Sequence, residues 1–568
     1  MAVKHRAIAS GWRFATGSAP MTADSGIAML RTLALAAALA ALSAATPGAA
    51  NAQTQAQPRP LSPFASGAEQ QAAMAAGATT SEALVRAYLA RIAAIDRAGP
   101  KLNSVLALNP HALADARKLD AERRAGHLRG PLHGLPVLLK DNIESDDGTA
   151  TTAGSLALID NVTGRDAPLV RRLTDAGAVI LGKANLSEWA NFRSTRSISG
   201  WTGVAGLVRN PYSLDRTACG SSAGSGAAIA AGLATLAIGT ETDGSITCPA
   251  AANGVVGLKP TVGLVSRTYV VPISPEQDTP GPMTRTVADA AAMLTAIAGS
   301  DPLDPATAQA NAHKANYLAG LRPDALRGVR VGVLRMTVGR SPQTDAVFET
   351  ALVALRKAGA VLVEVKGPDE AALGEIGAAE GLALRVEFKA SLNAYLAAAP
   401  AKVKTRSLDD LIAFNAHEPR ETPLFGQDIF EQSAKVPPIT DPTYLAGRAK
   451  ARKLARDALD RMLADDNVEV LVGPSTGPAA IVDPIDGSRS LGSYSTLPAV
   501  SGYPHLTVPM GNVQGLPVNI SFIGPAWSEA RLLALGFAFE QATHARIDPQ
   551  FLPNIWARPE YARVFDPR

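Results

Sequence analysis

Cysteine is nearly missing from this 568-residue chain, with Cys219 and Cys248 the only two. That scarcity excludes a disulfide framework and a zinc centre of the usual ligand spacing, and leaves the fold to a hydrophobic core. Both cysteines flank one glycine-rich stretch. A bridge between them stays open, although two buried thiols lining a pocket is the preferred reading, because sequence does not show the geometry a bridge needs. Aromatic residues make up only 5%, and no basic stripe interleaved with aromatics marks a nucleic-acid surface. The 49 glycines and 40 prolines follow no period, so they punctuate turns and build neither a solenoid nor a heptad array. Charge is modest at 18%, beside 47% hydrophobic residues, which fits a globular chain with a large core and excludes a disordered or fibrous one.

Long apolar runs are lacking too, apart from one near the N-terminus. Met29, Leu30 and Arg31 precede "TLALAAALAALSAA", and "ANA" at residues 50–52 supplies the small residues of a cleavage site. Residues 1–52 therefore read as a signal peptide, with Met29 as an alternative start. The run is shorter than the roughly 20 residues a bilayer span needs, which favours cleavage after Ala52 over an uncleaved anchor. Four of the 54 basic and one of the 51 acidic residues leave with it, so 50 of each remain and the mature chain is formally neutral. The expectation is an exported protein, periplasmic or secreted, with no nucleic-acid partner and no membrane attachment once the leader is gone.

Residues 53–80 form a lead-in whose first part is polar and proline-bearing. "TTSEALVRAYLARIAAIDRAG" then places Thr79 and Glu82 in capping-box spacing ahead of a helical repeat, which predicts a helix over residues 81–97. Short apolar, β-favouring runs follow at 135–142, 176–185, 235–240 and 253–261, separated by helical patterns. A βα-like unit covers 328–365, residues 370–465 read as mainly helical, and strand-like runs return at 468–474 and 515–524. The pattern predicts an α/β fold with a largely buried central sheet flanked by helices. Because similar elements lie on both sides of the helical region, residues 81–568 read as one large domain with a helical insertion over 370–465.

Chemistry concentrates in "CGSSAGSGAAIAAGLATLAIGTETDGSITCPAAANGVVGLKPT", residues 219–261. Ser222 lies in a G-x-S-x-G pattern, but a nucleophile elbow needs a strand before the serine, and "NPYSLDRTAC" is a turn-rich, polar approach. Ser245 stands out more, displayed after the turn "TDG". No histidine accompanies it, and His313, His417, His505 and His544 sit in no triad motif, so each reads as a surface or packing residue. Lysine is then the base to consider. Lys140, Lys183 and Lys259 each end an apolar run, where the usual reading is a side chain that snorkels to water. Lys140 differs in being delivered directly by "PVLL" and followed by "DN", so its amine is the one to desolvate, and bringing its pKa near 7 takes about 4 to 5 kcal/mol of bias against the cation.

The blocks "GLPVLLKDNI", "TTAGS", "GAVILGKANLSE", the 219–261 stretch and "GLPVNISFIG" resemble, in order and spacing, those of the amidase signature family, from about residue 80 to the end. The resemblance implies an amide hydrolase with a Ser-cisSer-Lys triad at Ser245, Ser221 and Lys140. It implies an oxyanion hole from the backbone of Thr242, Asp243, Gly244 and Ser245, and no metal or cofactor. "GTETDGSITCPAAANGVVGLKPTVGLVSR" and "LSEWANFRS" are most similar to bacterial peptide amidases, which convert C-terminal peptide carboxamides to acid and ammonia. Common members carry glycine where this chain has Asp243 and Ala223, and arginine where it has Thr247, departures that bear on substrate choice. Asp243 reads either as a plain turn residue or as a carboxylate that disfavours anionic substrates. The expected partner is a peptide or small-molecule amide, with no obligate protein partner. Aryl or fatty amides are an alternative substrate class. The rival readings are a catalytically silent amide-binding protein and an amidotransferase A-type subunit; the intact triad argues against the first and the leader against the second.

Overall fold

Four apolar runs of the N-terminal half become strands with every residue buried: β2 (Pro136–Lys140), β3 (Val179–Ala184), β4 (Leu236–Glu241) and β5 (Val256–Lys259). Strands shielded on both faces need no polar alternation, which is why they read as continuous hydrophobic runs. The computed structural model describes residues 61–485 and 492–565. The proposed leader, its cleavage site and residues 53–60 of the lead-in lie outside the described residues. No helix among the described residues is long and apolar enough to cross a membrane.

The remaining strands are β1 (Val105–Leu108), β6 (Thr279–Thr284), β7 (Arg330–Leu334), β8 (Val361–Val365), β9 (Val470–Pro474), β10 (His505–Val513) and β11 (Leu516–Ile523). They join one mixed sheet in the order β1-β3-β2-β4-β6-β5-β10-β11-β9-β7-β8. β2 runs parallel to both β3 and β4, with Leu139 opposite Lys183 on one side and Ile238 on the other. The carboxyl ends of β2 and β4 therefore lie side by side, the edge at which open α/β sheets gather their ligands.

Three strands are absent from the sequence reading. β6 is spelled "TPGPMT", and two prolines argue against an interior strand. It pairs along its whole length with β4, but with β5 only at Met283 and Thr284. Pro280 and Pro282 thus lie beyond the β5 ladder, where a missing donor breaks nothing. β1 is four residues long, and β10 is interrupted by Pro509 and a register shift before Gly511.

The first predicted helix forms over Ser81–Arg91 and continues as a wider turn over Ile92–Arg97. Its cap is Thr80, one residue later than expected, with the hydroxyl accepting from Ala83. With Thr80 as cap, Glu82 falls at the second helical position instead of the third, so no capping box closes, and it pairs with Arg86 and Arg117. The helical region comprises Glu370–Ala397, Leu408–His417, Asp428–Ala434 and Pro442–Asp465. It shares one core with Leu334, Val365 and Leu471 of the sheet, and another with Ala153, Leu158 and Trp189 of the N-terminal half. The helices therefore pack onto the main body, where Glu380 and Arg448 both bond Gln277, whose amide also donates to the Thr242 carbonyl.

Candidate active site

Lys140 ends β2 between two neighbouring strands, so the sheet itself carries its amine out of water; it is fully buried. Its Nζ lies 2.7 Å from Ser221 Oγ, 2.8 Å from Thr240 Oγ1 and 3.1 Å from the Thr240 carbonyl. Burial lowers its pKa to about 7, against the opposing pull of Asp278 and Glu241. A neutral amine in this cradle donates both hydrogens to Thr240 and turns its lone pair to the Ser221 hydroxyl.

Lys183 and Lys259 are equally buried, which corrects the snorkelling expectation for those two, whereas Lys140 is desolvated as its position after "PVLL" suggested. A strand covered on both faces leaves a terminal lysine no path to water. Lys183 donates to the Ile143 carbonyl and to Thr151, and Lys259 donates to the Pro260 carbonyl at 3.0 Å. Burial lowers both, Lys259 to about 8 against Glu241, Glu529 and Asp243. Of the three, only Lys140 touches a serine.

Ser221 follows the only cis peptide bond among the described residues, Gly220–Ser221. A Cβ on Gly220 would overlap the hydroxyls of Ser187 and Ser199, so this approach requires glycine. Ser187 N–H donates to the Ser221 carbonyl at 2.9 Å, and Ser222 is tied to β4 through Thr240. Residues 219–222 form a loop and the helix begins at Ala223, so no strand precedes Ser222 and the elbow pattern is incidental.

Ser245 sits where β4 turns into the short helix Thr247–Ala252. Glu241 Oε2 accepts from the N–H groups of Ile246 and Thr247 at 2.8 and 2.9 Å, and Gly244 takes φ +77°, which suits glycine. Among the described residues no acceptor takes the N–H of Asp243, Gly244 or Ser245, and none bonds the Ser245 hydroxyl. Ser222 N–H donates to the Ser245 carbonyl at 3.1 Å and brings the two serine segments together. Thr242 turns its hydroxyl away, donating to Asp278 at 2.6 Å.

Cys219 and Cys248 are joined in a disulfide, with Cα atoms 6.0 Å apart. This corrects the reading of two free thiols. Spacing could not show that the Ser222–Ser245 bond, and the Asn253 amide bonded to the Ala218 carbonyl at 2.8 Å, lay the two segments side by side. The bridge forms part of the wall of a cleft of about 350 Å³, with Gly220, Asp243, Gly244 and Ser495. Sequence reasoning missed the supporting residues Thr240, Glu241, Asp278 and Ser495. The first two stand in the "GTETDGS" block and were legible as neighbours of Ser245; the others arrive through tertiary contacts.

The histidines stay out of this arrangement. His505 is buried and bonded through Nε2 to Ser521 Oγ at 2.6 Å, and burial, then Lys259, depress its pKa to about 3. His313 stacks on Trp527, and His417 bonds its own helix at Ala413.

A family model described as amidase matches residues 83–533, most of the described chain. The chain belongs to the amidase signature family. It is 52% identical to native peptide amidase from Stenotrophomonas maltophilia, whose crystal structure superposes with a TM-score of 0.80 over 86% of this chain and 98% of that one. A probable amidase of Arabidopsis thaliana is 40% identical over 483 residues, 83% of this chain and 89% of the relative. The A-type subunit of glutamyl-tRNA(Gln) amidotransferase from Moorella thermoacetica is 35% identical over 495 residues, 82% and 93% of the two chains. This amidase is an amide-hydrolysing enzyme built on the single large α/β domain of its family.

Proposed function

We propose that the amidase hydrolyses C-terminal carboxamides of peptides, with Ser245 as nucleophile, Ser221 as proton bridge and Lys140 as base. The observation that carries the reading is the 2.7 Å contact of a buried, readily neutral Lys140 amine with Ser221 Oγ beside the cleft. Neutral Lys140 takes the Ser221 proton while Ser221 takes that of Ser245, whose Oγ attacks the carboxamide carbon. Negative charge on the carbonyl oxygen meets the unpaired N–H groups of the 243–245 turn, with Thr242 completing the oxyanion hole; preorganised donors of this kind supply the largest catalytic term. The tetrahedral adduct expels ammonia, which takes back the relayed proton. Water, deprotonated through the same relay, then cleaves the acyl-Ser245 ester to the acid and frees the serine. The likeness to S. maltophilia peptide amidase supports the peptide substrate.

The proposal places the enzyme outside the cytosol, exported by the leader of residues 1–52 and acting without an obligate protein partner. The disulfide supports this, since such bonds persist in oxidising compartments. The amidotransferase likeness favours a second reading, a partner-dependent component of a larger enzyme. Turnover of peptide amides, aryl amides and fatty amides by the purified chain alone tests both. Rapid release of ammonia from peptide amides is expected; activity that appears only with an added partner would overturn it.

A further inference from the structure

Asp243 is the one charged side chain among the described residues lining the cleft, and none of them is a lysine, arginine or histidine. The hydroxyls of Thr496 and Ser495 both approach its carboxylate. Thr496 Oγ1 donates to Oδ2 at 2.8 Å, whereas Oδ1 is shielded from solvent and has no hydrogen-bond partner in the protein. A shielded carboxylate oxygen without a donor is costly, so an occupant that brings a donor gains more than one that does not.

A second carboxyl stands near Asp243. Glu380, from the helix Glu370–Ala397, accepts from Gln277 Nε2 at 2.7 Å; burial, then the Asp243 charge, push its pKa up to about 8. Burial raises Asp243 as well, but the hydroxyls of Ser495 and Thr496 and the charge of Lys259 act in the other direction. Burial raises both carboxyls and each feels the other's charge, so they titrate as a pair.

The turn thus offers two complementary features within two residues of Ser245: backbone donors from residues 243–245 and a side-chain acceptor at Asp243. A primary carboxamide matches both, its carbonyl oxygen meeting the donors and its NH₂ the acceptor. The acid formed by hydrolysis does not match, because its second oxygen is negative and carries no donor. Resting on the assignment of Ser245 as nucleophile, we infer that Asp243 is a specificity-determining acceptor that reads the NH₂ of a primary carboxamide and repels the carboxylate product.

The test measures binding, so turnover does not confuse it. In Ser245→Ala enzyme, calorimetry with a peptide amide and the matching peptide acid should give a Kd for the acid at least tenfold weaker. Adding Asp243→Asn, which keeps the shape and removes the charge, should close that gap to within about threefold. A gap that survives Asp243→Asn overturns the inference. Should that variant fail to fold, unaltered enzyme gives a second measurement, competitive inhibition by the peptide acid against the corresponding peptide alcohol. The acid should be at least tenfold weaker, and equal inhibition overturns the proposal. Full hydrolysis by Ser245→Ala would instead sink the nucleophile assignment and leave the binding gap to be read separately.

Discussion

Replacing Lys140 with methionine should slow the enzyme by orders of magnitude and, at low pH, make it more stable. The amine is fully buried, with its pKa lowered from 10.5 to about 7 by loss of solvation. Between those values the unfolded chain binds a proton that the folded chain does not, so wild-type stability rises with pH through this window. Integrating that difference, the buried amine costs the folded state roughly 4 to 5 kcal/mol at pH 6.5 and roughly 1 to 2 kcal/mol at pH 9.5. Methionine carries neither cost. It also loses the bonds to Ser221 and Thr240, a deficit of about 1 kcal/mol each that is nearly independent of pH. The stability of Lys140→Met relative to wild type should therefore fall by about 3 kcal/mol from pH 6.5 to pH 9.5. Denaturant unfolding of both proteins at the two pH values reads this difference. A difference constant across that range would refute the claim that burial neutralises Lys140, and with it the lysine base. The kcat/KM of wild type should show an acid limb near pH 7, governed by the same group.

Three further outcomes follow from the site. Ser245→Ala should lower kcat at least about a thousandfold with an unchanged circular dichroism spectrum, and residual turnover above that level would remove Ser245 from its role. Cys219→Ser with Cys248→Ser opens a loop of sequence separation 29, so guanidinium unfolding should report a loss of about 3.5 kcal/mol, matched by wild type after reduction. His505→Gln, which can keep a hydrogen bond to Ser521, should leave kcat/KM within about threefold; a thousandfold loss would reopen the case for a histidine base.

The buried strands were legible because their apolar runs are short, β-branched and closed by glycine or polar residues, as in "AGAVILGKAN" and "VEVLVGP". β6 was not, since two prolines mask a strand whose partner on one side stops at Met283. Ser245 was visible as a serine displayed by a turn, and Lys140, the proposed base, as one of three candidates. Nothing in the local pattern of Lys183 or Lys259 sets them apart in burial from Lys140. What separates them is the partner each amine meets, and only Lys140 meets the serine loop.

By itself the sequence determined the fold class, the glycines of the 219–257 segment and the residue types available for acyl transfer, because periodicity and turn chemistry are local properties. Tertiary structure decided which of them act together. β2 and β4 pair in parallel, so Lys140 and Thr240, 100 residues apart, share one end of the sheet, and Ser221 is lowered onto the amine between them. The Cys219–Cys248 bridge and the carboxylate pair of Asp243 and Glu380 have the same origin. Burial, hydrogen bonding and charge depend on distances through space, and residues far apart in the chain acquire those distances only when the sheet closes and the helices of residues 370–465 pack against it.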